Sequence, residues 1–158
     1  MSRSDLETPL KSEPYHHGNL HAALLEAART LVDEHGVDGF SLRELARRAG
    51  VSPAAPYHHF KDKSALIQAL AQESQVRLGI SSHQAIEGII DPMQKLSALG
   101  VAYVLYAFDH PSEFRIMFRQ ELKSPLGKAQ ANLEQTEPDP AFQLLKDTLI
   151  ECRRAGCI

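Results

Sequence analysis

Between Phe40 and Lys63 the chain carries Arg43, Arg47, Arg48, Lys61 and Lys63 against only Glu44 and Asp62. That is five cations to two carboxylates, in a chain of 158 residues whose formal net charge is −3. Guanidinium and ammonium groups gathered in this way attract phosphate, and a local patch does so even when the whole molecule is slightly acidic. Other chemistries lack a comparable constellation. No nucleophile elbow, phosphate-cradling loop or paired catalytic carboxylate is legible, which argues against an enzyme. His58 and His59 are adjacent and would diverge on a helix, and Gly18 and Asn19 place a boundary between His17 and His21. Cys152 and Cys157 are too few for a disulfide scaffold or a four-ligand zinc site. Neither a metal nor a cofactor is expected.

The elements that hold the basic stretch are marked by their caps. Asn19 can cap a first helix whose Leu20, Ala23, Leu24, Ala27, Ala28, Leu31 and Val32 share a face, with Gly36 as its stop. Arg29 on that helix reads as a solvated residue that could also reach phosphate. Ser41 and Glu44 have capping-box spacing, and Leu42, Leu45, Ala46 and Ala49 give the second helix its apolar face before Gly50 closes it. Ser52 and Pro53 then suit the start of a short third helix, Pro53 to His58. Pro56 lacks the N–H that would seek the Ser52 carbonyl, so leucine at this position is expected to regularise the helix and stabilise it slightly. Asp62 caps the next helix, which runs past Gln75. A helix, a tight turn and a second short helix can support DNA reading, and they also make ordinary protein cores.

The run FSLRELARRAGVSPAAPYHHFKDKSAL, with AxxAGVS followed by Y-x-H-F-x-x-K-x-x-L from Tyr57 to Leu66, resembles the N-terminal DNA-binding domain of tetracycline-repressor-type (TetR family) bacterial transcription regulators. The resemblance is strong over residues 17 to 70. It implies an all-α chain: a flexible arm over 1–17, a three-helix helix-turn-helix domain over 18–70, and a helical ligand-sensing domain over 71–158, joined to the head by a helix. The implied DNA-binding set is Ser41, Arg43, Ser52, Ala54, Ala55, Tyr57, His58 and Lys63. In it Tyr57 and Lys63 meet phosphate, and either alanine can touch a thymine methyl. His59 and Phe60 would dock the short helix. Arg3, Lys11, His16 and His17 of the arm could approach DNA.

Beyond the head, Asp91-Pro92 starts a helix rich in Met93, Leu96, Leu99, Val101, Val104, Leu105 and Phe108, expected to be buried and to end at His110-Pro111. PSEFRIMFRQEL follows with Phe114, Met117, Phe118 and Leu122 inward, then a break at KSPLGK. Asp139-Pro140 opens a final helix with Phe142, Leu145, Leu149 and Cys152 inward and Gly156 as its stop. In the family this half encloses an inducer, and Tyr103, Tyr106, Phe108, Phe114, Met117 and Phe118 are the pocket candidates. They suit a small apolar or aromatic ligand. The YHHGNL and SPAAPYHHF forms suggest the subgroup with a Trp-His-Gly motif in its C-terminal domain, yet the chain has no tryptophan and reads as C-terminally truncated. The expected function is a ligand-responsive, sequence-specific DNA-binding regulator, a repressor. Its partners would be a palindromic double-stranded operator and, if the C-terminal helices are supplied, a second copy in a homodimer. With no apolar run long enough to span a bilayer and no secretory segment, the expected location is cytoplasmic. The alternative is a helical protein-interaction module whose basic patch binds an acidic partner.

Overall fold

The computed structural model describes residues 20–123 and 139–158, and among them every regular element is helical. In chain order these are α1 (Leu20–His35), α2 (Leu42–Arg48), a single 3₁₀ turn (Ala55–His58), α3 (Lys63–Ile86), α4 (Pro92–Asp109), α5 (Pro111–Lys123) and α6 (Pro140–Arg154). The proposed cap Asn19, the arm residues Arg3, Lys11, His16 and His17, the break at KSPLGK and the Leu122 side chain lie outside the described residues.

The caps form as their residue types dictate. The Ser41 hydroxyl accepts from the Glu44 N–H at 3.2 Å, although Glu44 turns to Arg47, 3.6 Å away, rather than back to the cap. Asp62 and Asp91 accept from the Ala65 and Gln94 N–H groups, each at 2.8 Å. Asp139 accepts from Ala141 and Phe142 at 2.9 and 3.3 Å. Gly50 closes α2 at φ 68°, which lets Val51 N–H reach the Ala46 carbonyl at 3.0 Å. A residue with a Cβ would be strained there.

The short third helix is where the structure departs from expectation. Ala55 N–H bonds the Ser52 carbonyl at 3.0 Å and Tyr57 N–H bonds Ala54 at 3.1 Å, both three residues back. Pro56 has no donor with which to continue a four-residue ladder, so the segment settles as a 3₁₀ turn preceded by Ala54, and no side chain caps it. Pro56 itself is fully buried. A leucine there would have to fit where the smaller proline ring is already enclosed, so a loss of stability rather than a gain is the expected outcome.

Leu24, Leu31, Leu45, Phe60, Leu66 and Leu70 form the main core, and burial stabilises each such side chain by about 1.5–3 kcal/mol. Ile116 of α5 belongs to the same cluster, so the second half of the chain reaches into the head. Arg29 is also buried there, at 9% exposure, paired with Glu73 and Glu113. This corrects its expected solvated or phosphate-facing role. A second cluster joins Leu78, Tyr106 and Met117, with Phe114, Phe118 and Ala141 packed against it.

The apolar wealth of α4 is mostly not buried. Leu99, Ala102 and Tyr106 make one narrow inward stripe, whereas Val101, Val104, Leu105 and Phe108 are exposed. A helix this apolar offers several faces, and neighbouring helices settle which one is covered. Likewise α6 turns Thr148 and Cys152 inward and leaves Phe142 and Leu149 exposed.

Candidate nucleic-acid interface

The 3₁₀ turn sorts its residues by direction. Pro56 and, just beyond it, Phe60 face the core, while Ser52, Ala54, Tyr57 and His58 are exposed and Ala55 is half-buried. With three residues per turn, Ala54 and Tyr57 lie one above the other on the outer side. Tyr57 is 54% exposed, so its hydroxyl can meet a partner outside the chain. His59 is exposed as well, and its ring stands 5.8 Å from that of His21 in an edge arrangement, while His21 lies 5.1 Å from Phe60. The turn is thus docked on α1 through Phe60, with both histidines at the rim.

Ser41 and Arg43 at the start of α2 are exposed beside this turn. Arg48 pairs with Glu34, one contact at 3.1 Å, and Arg47 with Glu44. Among the described residues Arg43 and Lys61 make no ion pair, which leaves their charges available to phosphate. Lys63 is placed differently. Its ammonium donates to the Phe40 carbonyl and sits 4.4 Å over the Phe40 ring centroid. Burial lowers its pKa, with Asp38 opposing the shift. In this conformation Lys63 ties the start of α3 to the loop before α2, a role that spacing alone did not reveal.

The ligand-binding candidates divide. A cleft of about 600 Å³ runs between the C-terminal half of α3 and α4, walled by Ala85, Ala98, Val101 and Leu105 with Gln84 and Asp109 at polar positions. Of the six candidates, Tyr106 lines it. Tyr103, Phe114 and Phe118 instead pack against one another in series, Tyr103 edge-on to Phe114 and Phe118 tilted against it, ring centroids 5.3 and 4.8 Å apart. Met117 is buried with Leu78 and Tyr106, and Phe108 is 78% exposed. Small residues open the cleft between larger ones, with Ser81 and Ala85 on α3 and Ala98 and Ala102 on α4; the two alanines four apart on α4 are the signal that could have found it.

Comparison with known proteins gives the head its relatives. Residues 24–70 match the family described as bacterial regulatory proteins, tetR family. The chain is 38% identical over 66 residues to the HTH-type transcriptional regulator UidR of Escherichia coli (strain K12), covering 42% of this chain and 34% of that protein. It is 37% identical over 71 residues to the HTH-type transcriptional repressor Rv1474c of Mycobacterium tuberculosis (strain ATCC 25618 / H37Rv), covering 44% and 38% of the two. The match therefore spans little more than a third of these curated relatives. A solved structure from Rhodococcus sp. RHA1, described as a protein with unknown function, extends the likeness. It shares 36% identity and a TM-score of 0.74 over 92% of this chain and 73% of its own. Motif, helical architecture and relatives agree that the head of this chain, residues 24–70, belongs to the tetR family of bacterial regulatory proteins.

Proposed function

We propose that the chain is a ligand-responsive, sequence-specific DNA-binding transcriptional regulator acting as a repressor in the cytoplasm. The observation that carries this reading is the outward-facing 3₁₀ turn, with Ser52, Ala54, Ala55, Tyr57 and His58, flanked by Arg43 and Lys61, which make no ion pair among the described residues. In this reading Arg43, Ser41 and Tyr57 contact phosphates and fix register, while Ala54, Ala55 and His58 approach base edges in the major groove. Lys63 supports the interface from behind by holding the Phe40 carbonyl. Direct readout without an arginine fork to guanine makes DNA shape a partner in specificity. The name of the mycobacterial relative supports repression.

Two copies would present two such turns to a palindromic operator. The exposed apolar side of α4, with Val101, Val104, Leu105 and Phe108, suits a covering partner. A small apolar or aromatic ligand in the cleft beside Tyr106 would shift operator affinity, and by reciprocity the operator would shift ligand affinity equally. The test is selection of duplexes from a randomised pool, followed by footprinting. A protected, palindromic sequence bound well above unrelated duplex is expected. Equal, salt-sensitive binding to every duplex, or none, would sink the proposal.

A further inference from the structure

α5 meets the head at three places. Ile116 lies in the head's core, Arg119 bonds both carboxylate oxygens of Asp38 in the α1–α2 loop at 2.9 and 2.8 Å, and Glu113 meets Arg29 of α1. The last contact is part of something larger. Glu113 is 3% exposed. Its Oε1 lies 2.7 Å from Arg29 Nε and 3.1 Å from an Arg77 guanidinium nitrogen. Its Oε2 accepts from the Tyr106 hydroxyl at 2.8 Å. One carboxylate therefore joins α1, α3 and α4 to its own helix.

The details make this junction positional. Arg29 Nε finds no hydrogen-bonding angle despite its proximity, so the pair is held by charge, and the carboxylate's placement depends on its other partners. The Tyr106 hydroxyl has a single proton. It lies 2.8 Å from Glu113 and 3.2 Å from the Ser74 carbonyl, and the shorter, charged acceptor takes the stronger bond. Buried ion clusters contribute little net stability compared with apolar packing, but removing one member leaves the others uncompensated. Such a cluster is suited to defining an angle between packed parts. Tyr106 is also the member that lines the α3–α4 cleft.

We infer that Glu113 is a positioning residue that fixes the angle between the DNA-binding head and the helical body, and that the Tyr106 hydroxyl holds Glu113 in place from the wall of the cleft. Displacing Tyr106 withdraws the only uncharged donor to the carboxylate among the described residues, loosens its hold on Arg29 and frees the head to swing. This deepens the proposed function, since a cleft occupant would act on DNA binding through Tyr106.

The test measures the angle without DNA. Spin labels are placed on Cys157, which is exposed, and on Asp33→Cys, at an exposed position of α1, while buried Cys152 stays unlabelled. Labelled chains are diluted with excess unlabelled protein, and the distance distribution is read by double electron–electron resonance. The parent should give one narrow distance. Glu113→Gln and Tyr106→Phe should each broaden it or add a second population, and the double variant should go no further than Glu113→Gln alone. Glu73→Gln, which touches Arg29 from the half-exposed side, should leave the distance unchanged. A merely structural role would lower the unfolding midpoint and leave the distance of the folded protein as in the parent, and that result overturns the inference. Should Glu113→Gln fail to fold, Tyr106→Phe decides alone, since it removes one oxygen. Absence of binding to any duplex would sink the functional reading and leave this result standing; parental distances with intact operator binding would do the reverse.

Discussion

Arg43 and Lys63 are both basic residues of the proposed DNA-reading face, and their surroundings give them different work. Arg43 is exposed and makes no ion pair among the described residues, so Arg43→Ala should weaken operator and unrelated duplex by a similar factor. The slope of log affinity on log salt should fall by about one, with folding unaffected. Affinities at several salt concentrations check this. Lys63 anchors the Phe40 carbonyl beneath the surface. Lys63→Ala should therefore also lower unfolding stability, by about 1.5–3 kcal/mol if the bond is an ordinary charge-assisted one. Denaturant titration separates the two cases: parental stability with reduced affinity would return Lys63 to a plain phosphate contact. The capping serine was legible from its spacing to Glu44 because a cap is local chemistry. The inward turn of Lys63 was not, because Phe40 and Lys63 meet only once α2 and α3 have packed.

At the scale of the element, prolines and glycines report how closely backbones approach. Pro56 is fully buried in the 3₁₀ turn, so Pro56→Leu should destabilise the head by about 1–3 kcal/mol through overpacking. It should also alter operator preference by displacing Tyr57. A higher melting temperature would mean that the turn tolerates leucine and that the original expectation of a regularised helix was right. Gly79 and Gly100 form a contrasting pair. A Cβ on Gly79 would stand 2.6 Å from the Pro140 Cβ, where α3 and α6 touch, whereas a Cβ on Gly100 meets nothing within 4 Å. Gly100→Ala should stabilise α4 by up to about 1 kcal/mol from helix propensity. Gly79→Ala gains the same propensity but must push α6 away, and a net loss is expected. Thermal unfolding of the two variants side by side checks the sign of each.

For the whole molecule, the attachment of head to body should depend on acidity in one direction. Burial alone would raise the Glu113 carboxyl, but the Tyr106 hydrogen bond and the guanidinium groups of Arg29 and Arg77, with a contribution from His110, outweigh it and hold the group below its ordinary value. Burial, then the bond to Glu113, raises the Tyr106 phenol, so it remains a donor at neutral pH. A carboxyl depressed in the folded state contributes stability above its unfolded pKa and loses it as pH falls through the folded one. The stability gap between parent and Glu113→Gln should therefore be constant through neutral pH and close below the ordinary carboxylate range. A gap that stays open in acid would show that shape rather than charge makes the junction. Denaturant midpoints of both proteins across pH measure it.

Local chemistry was legible in the amino-acid order alone. The caps at Ser41, Asp62, Asp91 and Asp139, the stop at Gly50 and the basic excess around Tyr57 depend on neighbours only a few residues away. Together with the Y-x-H-F-x-x-K-x-x-L spacing they marked a helical head and its resemblance to the tetR family, which the match over residues 24–70 bears out. Tertiary structure decided what needed a partner from elsewhere in the chain. The α4 sequence is apolar on several sides, and only the placement of α3, α5 and α6 selects Leu99, Ala102 and Tyr106 for burial while Val101, Leu105 and Phe108 stay exposed. The same is true of Arg29. Its fate depends on Glu73 and Glu113, 44 and 84 positions further along, and no helical periodicity carries information across such a distance, because periodicity describes one face of one helix and charge pairing requires two surfaces to meet.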